Sequence, residues 1–294
     1  MNIYDCTTFY DEHMMYDIRL NTLNEKVHKF VVAEATYSHS GQSKKLNFDI
    51  NNYKKFKDKI IYKVIDYQPK DIEEIKPNET SEVQKKISNS IKRMELSYNF
   101  MSQTIEDALE NDLIILSDCD EIPNLNSKSF LNSKKNICLF KQLFFYYKFN
   151  LYYDLMPWFG SKACKKKKLI SFSWLKQIKN KKYPFWRLDT YFSKNKYANL
   201  KIVNDGGWHF TNIKTPEEIY KKLSNFGHHA EFELSGLDVK KIKKFIDEKK
   251  VFYNHFADKS DPNKWNSTYN LKKLDSKYLP DFLNDNEKYS EWFD

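Results

Sequence analysis

Three carboxylates end a short apolar run in residues 111–124, NDLIILSDCDEIPN: Asp118, Asp120 and Glu121. Like charges one residue apart at the edge of an apolar segment repel each other and resist desolvation, which implies a partner that favours their ionised form. A divalent cation meets that need. Mg2+ or Mn2+ takes one or two carboxylates and fills its other sites with water and phosphate oxygens, so this Asp-x-Asp points to a phosphate-bearing ligand. The competing reading is a turn, capped by Asp118 and closed by Pro123. A second chemical feature is DGGWHF at residues 205–210. Its paired glycines permit close backbone approach and hold His209 rigidly, making a neutral imidazole the candidate third ligand. Glu34, near the end of FVVAEA, could accept from a ribose hydroxyl or a base N–H, or could stand at a solvent-facing edge.

The elements that position these groups follow from periodicity. Leu113, Ile114, Ile115 and Leu116 have the length and branching of a strand buried on both faces. In open α/β sheets ligands sit beyond the carboxyl ends of parallel strands, which is where Asp118 and Asp120 fall. Further strands are expected at 2–6, 30–35 and 60–65, and helices at 10–27 and 81–110. Residues 69–79 read as a polar loop that orders over substrate. The fold class expected is α/β, with a mostly parallel central sheet flanked by helical crossovers. Residues 136–153 suit strands that turn near Phe149 and Asn150, and 171–182 a short helix. Tyr183, Phe185, Trp186 and Arg187 surround Pro184, a grouping suited to holding a sugar ring or to packing in the core. From Thr215 the chain turns helical and polar, with a helix at 238–250 and Trp265, Leu271, Tyr278 and Leu283 as docking points for the tail.

Composition bounds the classes. The chain has 294 residues, 30% charged and 16% aromatic, with only 6 glycines, which is a globular composition. One core at residues 1–214 with a helical extension at 215–294 is expected. The net charge of +9 suits anionic substrates or peripheral contact with a membrane through a basic surface. The lysine run at 165–168 is read as a solvated loop. Cys6, Cys119, Cys138 and Cys164 have no paired metal spacing, and no disulfide is expected. With neither a leader pattern nor 18 consecutive apolar residues, the expectation is a cytoplasmic protein, peripheral at the inner membrane face.

The stretches IYDCTTFYDEHMMYDIRLNTLNEKVHKFVVAEATYSHSG, LIILSDCDEIPN, GGWHF and KLSNFGHHAEF resemble, in that order, glycosyltransferase family 17, the family of enzymes that add a bisecting GlcNAc. The resemblance implies a GT-A type fold, a nucleotide-sugar donor, a divalent metal and transfer with inversion to a β-linkage. The donor would be a UDP-sugar, with UDP-GlcNAc first, and the acceptor an oligosaccharide or glycoconjugate. Asp120 would bind Mn2+ or Mg2+ directly, Asp118 would contact metal-bound water or ribose, and His209 would complete the protein's share. Donor contacts would come from Glu34, His39, Arg93 and Asp118, Arg93 substituting because Tyr98, Asn99 and Phe100 stand where the family carries a Gln-Arg-Asn-like stretch. The base that takes the acceptor proton would be Glu121, Asp189 or Glu231. The animal enzymes' anchor and stem have no counterpart here, so the bisecting reaction itself is not expected to carry over. Two other classes compete. A haloacid-dehalogenase-like phosphohydrolase would carry its motif on the first strand, with Thr or Val where Ile122 stands. A nucleic-acid-binding module would segregate its basic residues, whereas Asp and Glu are interleaved with them here.

Overall fold

A computed structural model of the chain describes residues 1–76, 79–257, 261 and 264–294. The chain runs β1 (Ile3–Thr8), a helix His13–Leu23, β2 (Lys29–Ala35), β3 (Ile60–Ile65) and a helix Glu82–Phe100. Then come β4 (Leu113–Leu116), β5 (Glu121–Pro123), β6 (Ile137–Phe140), β7 (Leu143–Tyr146), β8 (Leu151–Tyr152) and β9 (Lys162–Lys165). A helix Phe172–Gln177, β10 (Lys201–Val203) and β11 (Gly207–Thr211) complete the first 214 residues. Helices Pro216–Asn225, His229–Ser235 and Val239–Asp247 and strand β12 (Lys272–Lys273) follow. The loop expected at 69–79 includes residues 77 and 78, which lie outside the described residues.

The result is a mixed α/β fold with two sheets. The larger has the order β10-β6-β9-β4-β1-β2-β3. Its pairs β1–β2, β2–β3, β1–β4 and β6–β10 are parallel, while β9 runs antiparallel to both β4 and β6. The second sheet, β12-β8-β7-β11-β5, is antiparallel except for β7–β11. Strand periodicity splits the core in two. Ile3, Phe30, Val32, Leu113 and Ile115 face the side covered by the helix His13–Leu23, and Tyr4, Cys6, Val31, Ile114 and Leu116 face Met101 and Ile105. β4 is buried along its whole length because strands flank it and layers cover both faces, hence its unbroken apolar run.

The helix His13–Leu23 carries a charge into this core. Arg19 is fully buried, donating from Nε to Asp5 Oδ2 at 2.7 Å and from Nη2 to Oδ1 at 2.5 Å. Its remaining nitrogen donates to the carbonyls of Glu121 at 2.7 Å and Asp118 at 3.3 Å. A bidentate pair with its spare donors satisfied is how an ion pair survives desolvation, and here it also fixes the turn after β4. All four cysteines are buried free thiols. Among the described residues, no helix is long and apolar enough to cross a membrane.

Candidate active site

Register places the carboxylates. Cys6 pairs with Leu116 at the carboxyl end of β4, and the chain then turns, Glu121 N–H donating to the Asp118 carbonyl at 3.0 Å. β5 leaves antiparallel to β11, with His209 opposite Glu121 and the Phe210 N–H donating to the Asp120 carbonyl at 2.8 Å. Gly207 makes this approach possible: its φ is +109°, and a Cβ there would lie 2.2 Å from the Ile122 carbonyl oxygen. Gly160 does the same on the other side, where a Cβ would overlap the Glu121 carboxylate.

The three carboxylates have different surroundings. Asp118 accepts from the Tyr98 hydroxyl at 3.0 Å and pairs with Lys176 Nζ at 3.0 Å. Asp120 pairs through Oδ2 with Lys222 at 3.1 Å, and its Oδ1 faces His209 Nε2 at 3.7 Å. Glu121 is buried, accepting from Trp158 Nε1 at 2.7 Å, Lys176 at 3.1 Å and the Asp118 N–H at 2.8 Å. Burial alone would raise the Asp120 and Glu121 carboxyls. Lys222 and His209 outweigh it for Asp120, Lys176 and His209 for Glu121, and both stay below the ordinary range. Burial likewise opposes the Lys176 ammonium, but Asp118 and Glu121 hold its pKa above the usual lysine value. His209 packs against Phe144, 4.7 Å away, and Trp158, 4.4 Å away, two rings that are themselves 5.0 Å apart, and burial lowers its pKa. The imidazole is therefore neutral near pH 7.

All of these side chains except Lys176 line a cavity of about 440 Å3. Lining it are Thr8 at the end of β1 with Phe9, Tyr10 and Glu12 after it, and Ala33 and Ala35 of β2 with Tyr37 and His39 after it. An aromatic wall is also present: Phe144, Tyr146, Trp158, Phe226, Tyr253, His255 and Trp265. Lys222 reaches Asp120 from the helix Pro216–Asn225, whose start is fixed by Pro216 and a Thr215–Glu218 capping box. Residues from both sides of position 214 thus build the cavity.

Asp118, Asp120, Glu121, His209 and His39 all line it. The other expected site residues lie elsewhere. Glu34 is completely buried on the face of β2 opposite Ala33 and Ala35, where it accepts from the N–H groups of Asn47 at 2.7 Å and Phe48 at 3.0 Å, from Tyr62 and from Lys44. Its carboxylate fastens the 44–48 loop rather than meeting a ribose. Arg93 sits behind the cavity, donating to Gln68 and to the His39 carbonyl and so supporting the His39 loop. Asp189 is outside the cavity, held by Arg187 and Lys196 at 2.8 and 2.9 Å. Glu231 pairs with Lys264 and faces His228. Glu121 faces the cavity, yet three donors already occupy its oxygens. Sequence reasoning passed over Lys176, Lys222 and Glu12 and gave Tyr98 no role in the site.

No group of three or more His, Cys, Asp or Glu side chains converges as a preformed metal cage among the described residues. Asp118 has both oxygens engaged. Asp120 Oδ1 and His209 Nε2, however, face one another at a separation that one cation can bridge, and carboxylate plus imidazole is a donor set that Mn2+ accepts. His209 Nδ1 is buried without a partner among the described residues, so stacking rather than a hydrogen bond orients the ring. These residues fit a cation with two protein ligands whose other positions go to water and phosphate oxygens.

No curated protein matches the chain. Among solved structures, HddC from Yersinia pseudotuberculosis complexed with GMP-PN aligns at 12% identity and a TM-score of 0.33, over 75% of this chain and 97% of that one. The inositol-1-phosphate CTP transferase from T. maritima aligns at 12% identity and a TM-score of 0.32, over 83% and 97%. Both likenesses are too loose to bear on fold or activity. The family model for glycosyltransferase family 17 matches residues 1–259, which span the strand ends, the carboxylate turn, the glycine-held histidine and most of the aromatic wall; the chain belongs to that family and is a glycosyltransferase.

Proposed function

We propose that the cavity binds a nucleotide-sugar donor, UDP-GlcNAc first, and that the chain transfers the sugar to a glycan hydroxyl with inversion, on a GT-A type scaffold. The observation that carries this reading is the charge arrangement at the end of β4. Asp118, Asp120 and Glu121 pair there with Lys176 and Lys222, which leaves one negative charge in excess at this turn. A nucleoside diphosphate brings further negative charge, and a divalent cation on Asp120 and His209 would reverse the balance. Bound there, Mn2+ or Mg2+ would supply Lewis-acid neutralisation of the departing diphosphate.

The chain's own groups do the rest. Lys176 and Lys222 are held charged beside the same turn, and Lys222, which lines the cavity, can meet phosphate oxygens. The wall from Thr8 to Tyr10, with Tyr37 and His39, takes the base and ribose beyond the carboxyl ends of β1 and β2. The aromatic wall offers Trp158, Tyr253 and Trp265 to the apolar face of a sugar ring. Glu12 lines the cavity, and burial, then Asp11, raises its carboxyl above the ordinary glutamate value. A carboxylate raised in this way is a stronger base; one Glu12 oxygen accepts from the Tyr10 and Asp11 N–H groups at 2.8 and 3.1 Å, and Glu12 is assigned the acceptor proton in place of Glu121, both of whose oxygens are engaged.

Thermal unfolding with a panel of nucleotide sugars plus Mn2+ tests the donor. A UDP-sugar at about 100 times its Kd should add about 2.7 kcal/mol of stability. A shift with a different nucleotide alone would reassign the donor, and no shift with any would contradict the reading.

A further inference from the structure

Residues 179–196, KNKKYPFWRLDTYFSKNK, leave the helix Phe172–Gln177 and return to it. The base of the excursion is fastened. Lys179 N–H donates to the Asn195 carbonyl at 2.8 Å, Tyr183 N–H to the Tyr197 carbonyl at 3.1 Å, and Trp174 Nε1 to the Lys194 carbonyl at 2.6 Å. Its tip is apolar and uncovered. Phe185, Trp186, Leu188, Tyr191 and Phe192 are between 69% and 90% exposed. Phe185 and Trp186 touch edge to face at 5.1 Å, and the Tyr191 hydroxyl donates to the Phe185 carbonyl, which gathers three of the five at one place. Large side chains that a core would normally bury, grouped in the open, mark a contact surface.

The charge around the tip selects the partner. The segment holds Lys179, Lys181, Lys182, Arg187, Lys194 and Lys196 against a single acid, Asp189, so it carries five of the chain's nine net positive charges. Asp189 is itself neutralised by Arg187 and Lys196. Lys181, Arg187 and Lys196 lie 5.6, 5.5 and 6.0 Å from the centre of the Tyr183 ring, which keeps cations at the border of the apolar tip. Aromatic side chains flanked by lysines whose stems reach past apolar surface match the boundary between acyl chains and anionic headgroups. We propose that this segment docks the enzyme onto an anionic bilayer surface, its aromatics entering the interface and its lysines meeting lipid phosphates. The helix that anchors the segment also carries Lys176, three residues before Lys179, so docking would hold the carboxylate turn close to the membrane.

Vesicle flotation tests this without donor or acceptor, and so independently of the transferase reading. The full chain should float with phosphatidylcholine–phosphatidylglycerol vesicles and about tenfold less with phosphatidylcholine alone. The triple variant Phe185→Ser, Trp186→Ser, Phe192→Ser should lose about tenfold in partitioning, and so should Lys181→Glu combined with Lys182→Glu and Lys194→Glu. Both should melt at the wild-type temperature, because none of these side chains is buried. Wild type that stays in the aqueous fraction, or variants that float equally well, would overturn the proposal. Concentration-dependent dimerisation abolished by the aromatic variant, without vesicle binding, would instead assign the tip to a second copy of the chain.

Discussion

At the residue scale, neighbouring carboxylates divide their work by what already surrounds them. Glu121 is spent on Trp158, Lys176 and the Asp118 N–H, and Asp118 on Tyr98 and Lys176, whereas Asp120 keeps one oxygen turned towards His209. Glu12 stands apart, with a carboxyl raised by burial and Asp11. A general base works ionised, so the rate should climb as pH rises through its pKa, and the acid limb of kcat should lie above the ordinary value of 4.5. Glu12→Gln should lower kcat by roughly 10²- to 10⁴-fold and leave the donor KM near wild type. Steady-state kinetics across pH check this. A raised donor KM with kcat preserved would make Glu12 a nucleotide contact instead.

At the scale of elements, the site depends on a helix that contributes no group to the cavity surface. Arg19, from the helix His13–Leu23, ties β1 through Asp5 to the turn after β4 through two carbonyls. Arg19→Met would leave Asp5 buried and unpaired, and urea unfolding should register a loss of about 3 to 5 kcal/mol. A loss below about 1 kcal/mol would show that the pair adds nothing beyond packing. The same element shows where sequence legibility ends. β4, the carboxylates at its end and the helices at both ends of the chain could be read because a buried strand and an amphipathic helix each leave a local periodic trace. The Asp5–Arg19 pair leaves none, since its partners are joined only by folding, and a buried arginine inside a helical stripe reads as a border residue. Lys176 and Lys222 are hidden for a related reason, because a lysine in a lysine-rich chain looks like surface until the structure sets it against a carboxylate. Glu34 was misassigned by one face of β2: strand alternation turns Ala33 and Ala35 to the cavity and the carboxylate away.

At the scale of the whole molecule, the second sheet is what assembles the site. Its strands are two to five residues long, and β7 meets β11 in parallel across sixty intervening residues, so no local pattern announces it. Yet this sheet carries His209 to Asp120 and, with the segments after position 214, raises the aromatic wall. The central claim is that this junction holds a metal and a nucleotide sugar together. Calorimetric titration of UDP-GlcNAc into wild type, Asp120→Ala and His209→Ala, each with Mn2+ and with chelator, tests it most directly. Wild type should bind only with Mn2+, His209→Ala should bind about 10- to 100-fold more weakly, and Asp120→Ala should not bind measurably. Equal binding by all three proteins, or wild-type binding unchanged by chelator, would contradict the account.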